Sequence, residues 1–238
     1  MAFVGCAAAR CDDGPECAVA GTASVTRAAA FRGCFATRAI LLYCAVMNVF
    51  VVLCHPLQQS FNGRIAQAVC GAVRKSGQRL IFHDLYQESF NPVLTGEEML
   101  RGYSFDEQSQ RYMDEVMDSD VLIFIHPDWW GQMPALLKGF FDRIFRSGIV
   151  FDYSGNEFTE KHLERLMAGK RAIAFCTTDS EEDASEHPLE SIWRKHIFEY
   201  CGIQGRCELF HSIRTADASR RKTIVETAAG ITASVLEV

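Results

Sequence analysis

The chain has 238 residues, 48% of them hydrophobic and 23% charged, with a formal net charge of −6. That composition supplies enough apolar material for one sizeable core. The acidic balance, with no Lys/Arg run interleaved with aromatics, excludes a nucleic-acid footprint and leaves a small molecule as the expected partner.

Residues 1–46 stand apart from the rest. They are rich in Ala, Cys, Gly and Thr and show neither helical nor strand periodicity. Arg38 followed by "AILLYCAVMNVFVVLC" suggests a signal or anchor segment. The run is shorter than the roughly 20 residues a spanning helix needs and contains Asn48, so no membrane insertion is expected. Arg10, Arg27, Arg32 and Arg38 suggest a targeting arm, which Asp12, Asp13 and Glu16 dilute. The favoured reading is that translation begins at Met47, because "MNVFVVLCHP" is how a protein opening on its first buried strand would start. Residues 1–46 are then an atypical extension, disordered or not translated, and residues 47–238 form the folded domain.

From Met47 on, short β-rich apolar runs alternate with stretches of helical period, the pattern of a doubly wound α/β protein with a parallel sheet. Strands are predicted at Val49–Cys54, Arg79–His83, Val121–His126, Ala172–Cys176 and Arg206–Phe210. Between the first two, "SFNGRIAQAVCGAVRKSG" places Phe61, Ile65, Val69, Ala72 and Val73 on one face, with Ser60 as N-cap and Gly77 as the stop. "TGEE" at Thr95 to Glu98 fits a capping box. A helical stripe of Phe105, Tyr112, Met113, Val116 and Met117 returns the chain to the third strand. After Pro134 a helix turns Leu137, Phe140, Phe141, Ile144 and Phe145 inward, with Lys138, Asp142 and Arg146 spaced by four on the wet side. Another helix runs from Leu189 to Tyr200, and the last starts at about Asp217.

Of ten cysteines, five fall in the first 44 residues. The others (Cys54, Cys70, Cys176, Cys201 and Cys207) read as small core residues of a reducing, cytoplasmic compartment. The seven histidines are scattered with no metal-ligand spacing, so no metal site is expected; His83 and His126 read as hydrogen-bonded edge residues at strand ends.

In sheets of this kind ligands bind beyond the carboxyl ends of the strands, which selects three loops: "CHPLQQSFN", "HPDWWGQMP" and "CTTDSEEDASEHP". The first ends at a helix N-terminus, where free N–H groups and the dipole favour a phosphate. It has neither the Gly-x-Gly-x-x-Gly of a dinucleotide fold nor a P-loop. In the second, Trp129 and Trp130 offer flat faces and Gly131 lets the backbone approach a ligand, so a planar heteroaromatic is expected there.

"FVVLCHPLQQSFNGRIAQAV", "HDLYQESFNPVLTGEE" and "VLIFIHPDWWGQMPALLKGFFDRIF…VFDY" resemble the flavin-dependent NAD(P)H quinone oxidoreductases of the DT-diaphorase type, in order from about Asn48 to Thr178. The resemblance implies a flavodoxin-like five-stranded parallel sheet with helices on both faces. By position, His55, Ser60, Phe61 and Asn62 fall where that family binds the phosphate end of the flavin. Pro127, Asp128, Trp129, Trp130 and Gly131 fall where it embraces the isoalloxazine, and Thr177 and Thr178 fall on its third flavin loop. Tyr153, with Trp130, falls on the substrate pocket, often shared across a homodimer interface.

The resemblance further implies hydride transfer from NAD(P)H through FMN or FAD, with a slight preference for FMN, to quinone-like acceptors by a ping-pong mechanism. After Thr178 the chain departs from the family's Gly-Gly turn and its Tyr and His relay, so no catalytic relay residue is assigned. His187, before Pro188, reads as part of a helix-opening turn, and Glu181, Glu182 and Asp183 as a solvated acidic face. Two rival functions fit the same fold: a redox-sensing regulatory subunit of a potassium efflux system, and a one-electron shuttle. The shuttle ranks last because "HPLQQSFN" replaces its phosphate loop.

Overall fold

Apolar runs that do not alternate, such as "VFVVL" and "VLIFI", belong to strands covered on both faces, and in the computed structural model they form the centre of the sheet. The structure describes residues 46–155, 160–182 and 186–237. The expectation for residues 1–46 falls, but for Val46, outside them. In chain order come β1 (Asn48–Leu53), α1 (Phe61–Lys75), β2 (Arg79–Asp84), α2 (Gly96–Arg101), α3 (Glu107–Asp118), β3 (Val121–Pro127) and α4 (Ala135–Ile144). They are followed by β4 (Phe151–Ser154), β5 (His162–Arg165), β6 (Arg171–Thr177), α5 (Pro188–Ser191), a π-helical segment Ile192–Phe198, α6 (Glu199–Cys201), β7 (Gln204–Phe210) and α7 (Ala218–Leu236).

The main sheet is ordered β2-β1-β3-β6-β7 with every pairing parallel. The strand order therefore reverses between β1 and β3, and their carboxyl ends open a crevice at the switch point. Period-two alternation sorts the core into two layers. Phe50, Val52, Leu122 and Phe124 pack with Tyr112, Phe140 and Trp193 on one face, and Val49, Val51, Ile123 and Ile125 pack with Ile65, Val69, Ile224 and Ala228 on the other.

The five strands stand where they are predicted, within two residues at each end. The Thr95 capping box is present, its hydroxyl accepting from Glu98 N–H while the Glu98 carboxylate accepts from Thr95 N–H. Four readings need correction. Phe105 lies before α3 and is 69% exposed, so it is outside the stripe. Arg146 does not extend the Lys138–Asp142 pair but donates to the Glu98 carbonyl at 2.6 Å. His126 is no edge residue: it is fully buried on β3, between β1 and β6. Finally, the antiparallel pair β4–β5 was not foreseen, because its strands of four residues are too short for a legible period.

One glycine sets how closely α4 approaches its neighbour. A Cβ on Gly139 would collide with the Cβ and carbonyl oxygen of Pro92. Gly139→Ala is therefore expected to lower stability by about 1–3 kcal/mol, the usual cost of overpacking. The check is urea unfolding: a lower midpoint at unchanged m identifies a loss of stability in the native packing.

Candidate functional site

The loop after β3 folds as a tight turn. Trp129 N–H donates to the Gln132 carbonyl at 2.9 Å and Gln132 N–H returns to Trp129 at 3.2 Å, with φ of 62° at Trp130 and 70° at Gly131 between them. Two successive residues with positive φ make a type I′ turn. Gly131 accepts that geometry freely, whereas Trp130 holds it at a cost of roughly 1–2 kcal/mol. The outcome is a Trp130 side chain fully exposed at the turn's tip and a Trp129 ring 40% exposed beside His55, centroids 6.3 Å apart.

Beneath the turn, Asp128 is tied down by its neighbours on β6. Its N–H donates to the Thr177 carbonyl at 2.7 Å, and its Oδ2 accepts from Thr178 Oγ1 at 2.8 Å. His187 Nε2 lies 3.3 Å from the same Oδ2, while its Nδ1 accepts from Leu189 N–H at the start of α5. His187 is thus the helix-opening residue its sequence suggested, and it also braces the carboxylate. Asp128, Trp129 and Thr178 spend their backbone N–H groups internally, the last on the Phe210 carbonyl. The N–H groups of Trp130 and Gly131 make no hydrogen bond among the described residues and remain to meet a ligand.

The loop after β1 ends at α1, where Ser60 Oγ accepts from Gly63 N–H at 3.0 Å. This leaves the Phe61 and Asn62 N–H groups unbonded at the positive end of the helix dipole. Close turning here requires Gly63, whose added Cβ would lie 2.5 Å from the Gln58 carbonyl. His55 Nδ1 accepts from Leu57 N–H at 3.0 Å, so the neutral ring carries its proton on Nε2. Burial lowers the His55 pKa, outweighing the Leu57 contact and the Asp84 charge. The guanidinium groups of Arg64 and Arg221 sit 5.8 and 5.6 Å from the Phe61 ring, adding cationic character at this end.

These loops meet in one cleft of about 440 Å³. It is lined by His55, Phe61, Asn62, Pro127, Asp128, Trp129, Trp130, Thr177 and Thr178, which is every predicted cofactor contact except Ser60 and Gly131. Those two shape the loops rather than line the wall, one as helix cap and the other as turn residue. Tyr153 does not line the cleft; it sits on β4, half exposed, its hydroxyl 2.7 Å from that of Tyr200. Asp179, within the third selected loop, also lines the cleft, as do Ile213 and Arg214, which no predicted loop contains. Ile213 and Arg214 follow β7, whose carboxyl end opens on the same edge as those of the other strands. The strand-end rule carried to the fifth strand finds them. Among the described residues no group of His, Cys, Asp or Glu could hold a metal ion.

A flavin fits this lining on grounds internal to the chain. Asn62 is 3% exposed and spends its amide on Thr177 Oγ1 at 2.9 Å, yet its Oδ1 is buried without a partner, as is Asp128 Oδ1. An orphaned buried acceptor is costly unless a ligand donor reaches it. The hydroxyls of a flavin's ribityl chain are donors of the required kind.

A family model described as a flavodoxin-like fold matches residues 47–233. An uncharacterized NAD(P)H oxidoreductase of Haemophilus influenzae is 30% identical over 192 residues, covering 77% of this chain and 93% of that protein. NAD(P)H dehydrogenase (quinone) 1 of Rattus norvegicus is 28% identical over 210 residues, covering 76% of this chain and 75% of its own length. Among solved structures, the NAD(P)H:quinone oxidoreductase of Methanothermobacter marburgensis superposes with a TM-score of 0.68 at 25% identity, covering 82% of this chain and 99% of that one.

Proposed function

Since the chain belongs to the flavodoxin-like family, whose model spans residues 47–233, we propose that it is an NAD(P)H:quinone oxidoreductase that works with a bound flavin, FMN or FAD. The observation that carries this reading is the cleft in which the loops after β1 and β3 bring together a helix N-terminus, two unpaired buried acceptors and two tryptophans. The regulatory reading has no observation in its favour, and the relatives reported above carry the names of enzymes.

When bound, the flavin supplies the centre that accepts and returns a hydride, so reduced nicotinamide and quinone use one site in turn, which is a ping-pong scheme. The chain's own residues bind and orient. Phe61 and Asn62 N–H and His55 Nε2–H would hold the phosphate, and Asn62 Oδ1 would accept from a hydroxyl. Trp129 and Trp130 would cover the ring, and the Trp130 and Gly131 N–H groups would donate to its polar edge. The quinone would reach the ring on the face that the indoles leave open. A homodimer, in which Tyr153 of one protomer borders the cleft of its partner, would complete the pocket. The five cysteines among the described residues are free thiols, which suits a reducing cytoplasmic compartment.

No helix among the described residues is long and apolar enough to cross a membrane. The deciding experiment is an absorbance spectrum of the purified protein before and after anaerobic NADPH or NADH. Flavin bands that bleach and then recover with a quinone support the reading; bound flavin that neither nucleotide bleaches would refute it. Chromatography of the released cofactor separates FMN from FAD.

Trp130 gives a second test, because its strain and its exposure separate stability from binding. Trp130→Gly is expected to hold stability or raise it by up to about 1 kcal/mol, since glycine adopts positive φ freely and no packing is lost. The same variant should bind flavin less tightly. Thermal melts of the flavin-free protein beside a flavin titration read the two effects apart.

A further inference from the structure

His126 is fully buried behind the cleft on β3, directly before the loop that carries the tryptophans. Three groups meet its ring. Nδ1 lies 2.8 Å from the Pro127 carbonyl oxygen, and Nε2 lies 3.1 Å from the indole nitrogen of Trp193 and 3.2 Å from the Cys176 thiol. An indole N–H can only donate, so Nε2 must accept. A neutral imidazole then carries its proton on Nδ1, which donates to the Pro127 carbonyl. The neutral form is secure, because burial pushes the His126 pKa down to about 4 against the opposing pull of the Pro127 contact and the Asp128 charge. Burial also keeps Cys176 a thiol, its Sγ 3.6 Å from Cys207 Sγ.

Trp193 owes its place to an unusual backbone. It lies in the π-helical segment Ile192–Phe198, whose widened turn packs the indole against Phe124, Phe141 and Phe198 with its nitrogen at His126. Single π turns inside helices concentrate at functional sites. The peptide between Pro127 and Asp128 is held at both ends: its carbonyl accepts a hydrogen bond from His126 Nδ1 and its N–H donates to the Thr177 carbonyl. That peptide sets the direction in which the Asp128 carboxylate and the tryptophan turn leave the sheet.

We infer that His126, oriented by Trp193, is a positioning residue for the flavin: the Trp193–His126–Pro127 hydrogen-bond chain fixes the peptide from which the ring-binding turn springs. This rests on the flavin reading above. Neither His126 nor Trp193 lines the cleft, so any effect on the ring travels through that peptide.

Two near-isosteric substitutions split the ring's two jobs. His126→Asn places an amide donor near the Nδ1 position and keeps the bond to Pro127. His126→Gln places an acceptor near Nε2 and keeps only the bond from Trp193. Trp193→Phe removes the donor that orients the ring and leaves the Pro127 carbonyl alone to hold it. The expected result is that His126→Asn binds flavin within about threefold of wild type, while His126→Gln and Trp193→Phe each bind about tenfold more weakly, the effect of one lost hydrogen bond. The flavin midpoint potential should shift in the latter two alone.

Nitrogen-15 NMR of the flavin-free wild type should show a neutral His126 protonated on Nδ1; protonation on Nε2 would overturn the inference without reference to flavin. Equal affinity and potential in wild type, His126→Gln and Trp193→Phe, each shown folded by thermal melts, would overturn it and leave the proposed function standing. A wild-type chain that takes up no flavin would overturn the proposed function, and with it the consequence for the ring.

Discussion

Replacing Trp129 and Trp130 together by Ala is expected to weaken flavin binding on the order of a hundredfold, from about 1–3 kcal/mol for each stacked ring at roughly tenfold per 1.4 kcal/mol. The fold should survive. Trp130 is fully exposed and Trp129 is 40% exposed, so little core contact is removed, and the backbone bonds that close the turn between Trp129 and Gln132 do not involve either ring. Loss of flavin from a protein that still melts cooperatively therefore locates the effect in the rings themselves. Full flavin occupancy with an unchanged spectrum would mean that the indoles serve another surface, and the assignment of this loop to the ring would fall.

A second large effect is expected far from the cleft, at the Glu98–Arg143 pair. Arg143 is 4% exposed and donates to Glu98 Oε1 and to the Asn91 carbonyl at 2.6 and 2.7 Å. Burial alone would push the Glu98 carboxyl up. The hydrogen bonds from Arg143, from Ser104 and from the Thr95 backbone and hydroxyl outweigh it and bring the pKa down to about 2. Glu98→Gln leaves the buried guanidinium with only the more exposed Asp106 carboxylate, 3.4 Å away, as counter-charge and is expected to cost up to about 3–5 kcal/mol. By contrast, Arg101→Ala, which breaks the Arg101–Glu97 pair with both side chains more than half exposed, should cost less than about 1 kcal/mol.

The pH dependence follows from the depressed carboxyl. With a folded pKa near 2 and an ordinary value of 4.5, the unfolded chain binds the proton first, so the contribution is complete above about pH 4.5 and is lost as pH falls towards 2. The stability gap between wild type and Glu98→Gln should therefore be constant near neutrality and close across that window. Denaturant unfolding at several pH values measures it, and a gap that persists at pH 2 would show that the carboxylate is not what holds Arg143.

Much of the cleft was legible because its parts are local. A helix cap at Ser60, a loop carrying two tryptophans and Gly131, and two threonines closing a strand are each encoded within a few residues, and parallel topology brings strand ends to one edge whatever the loops contain. The same locality explains the omissions. Ile213 and Arg214 carry no motif and join the wall only because β7 lies beside β6. The strands of the β4–β5 ribbon support each other by pairing across the chain rather than by a run of their own.

What the sequence determined by itself, then, was the alternation of strand and helix, the caps and turns, and the three loops that lead to the cleft, since each depends on propensity and period along the chain. The tertiary structure alone decided the states of the buried polar groups. Whether His126 is an edge residue or a locked tautomer, and whether Glu98 is a helix cap or the counter-ion of a guanidinium 45 positions away, depends on partners brought together by the packing of different elements. Such partners have no fixed spacing in sequence, and burial, which makes them energetically decisive, exists only once the chain has folded.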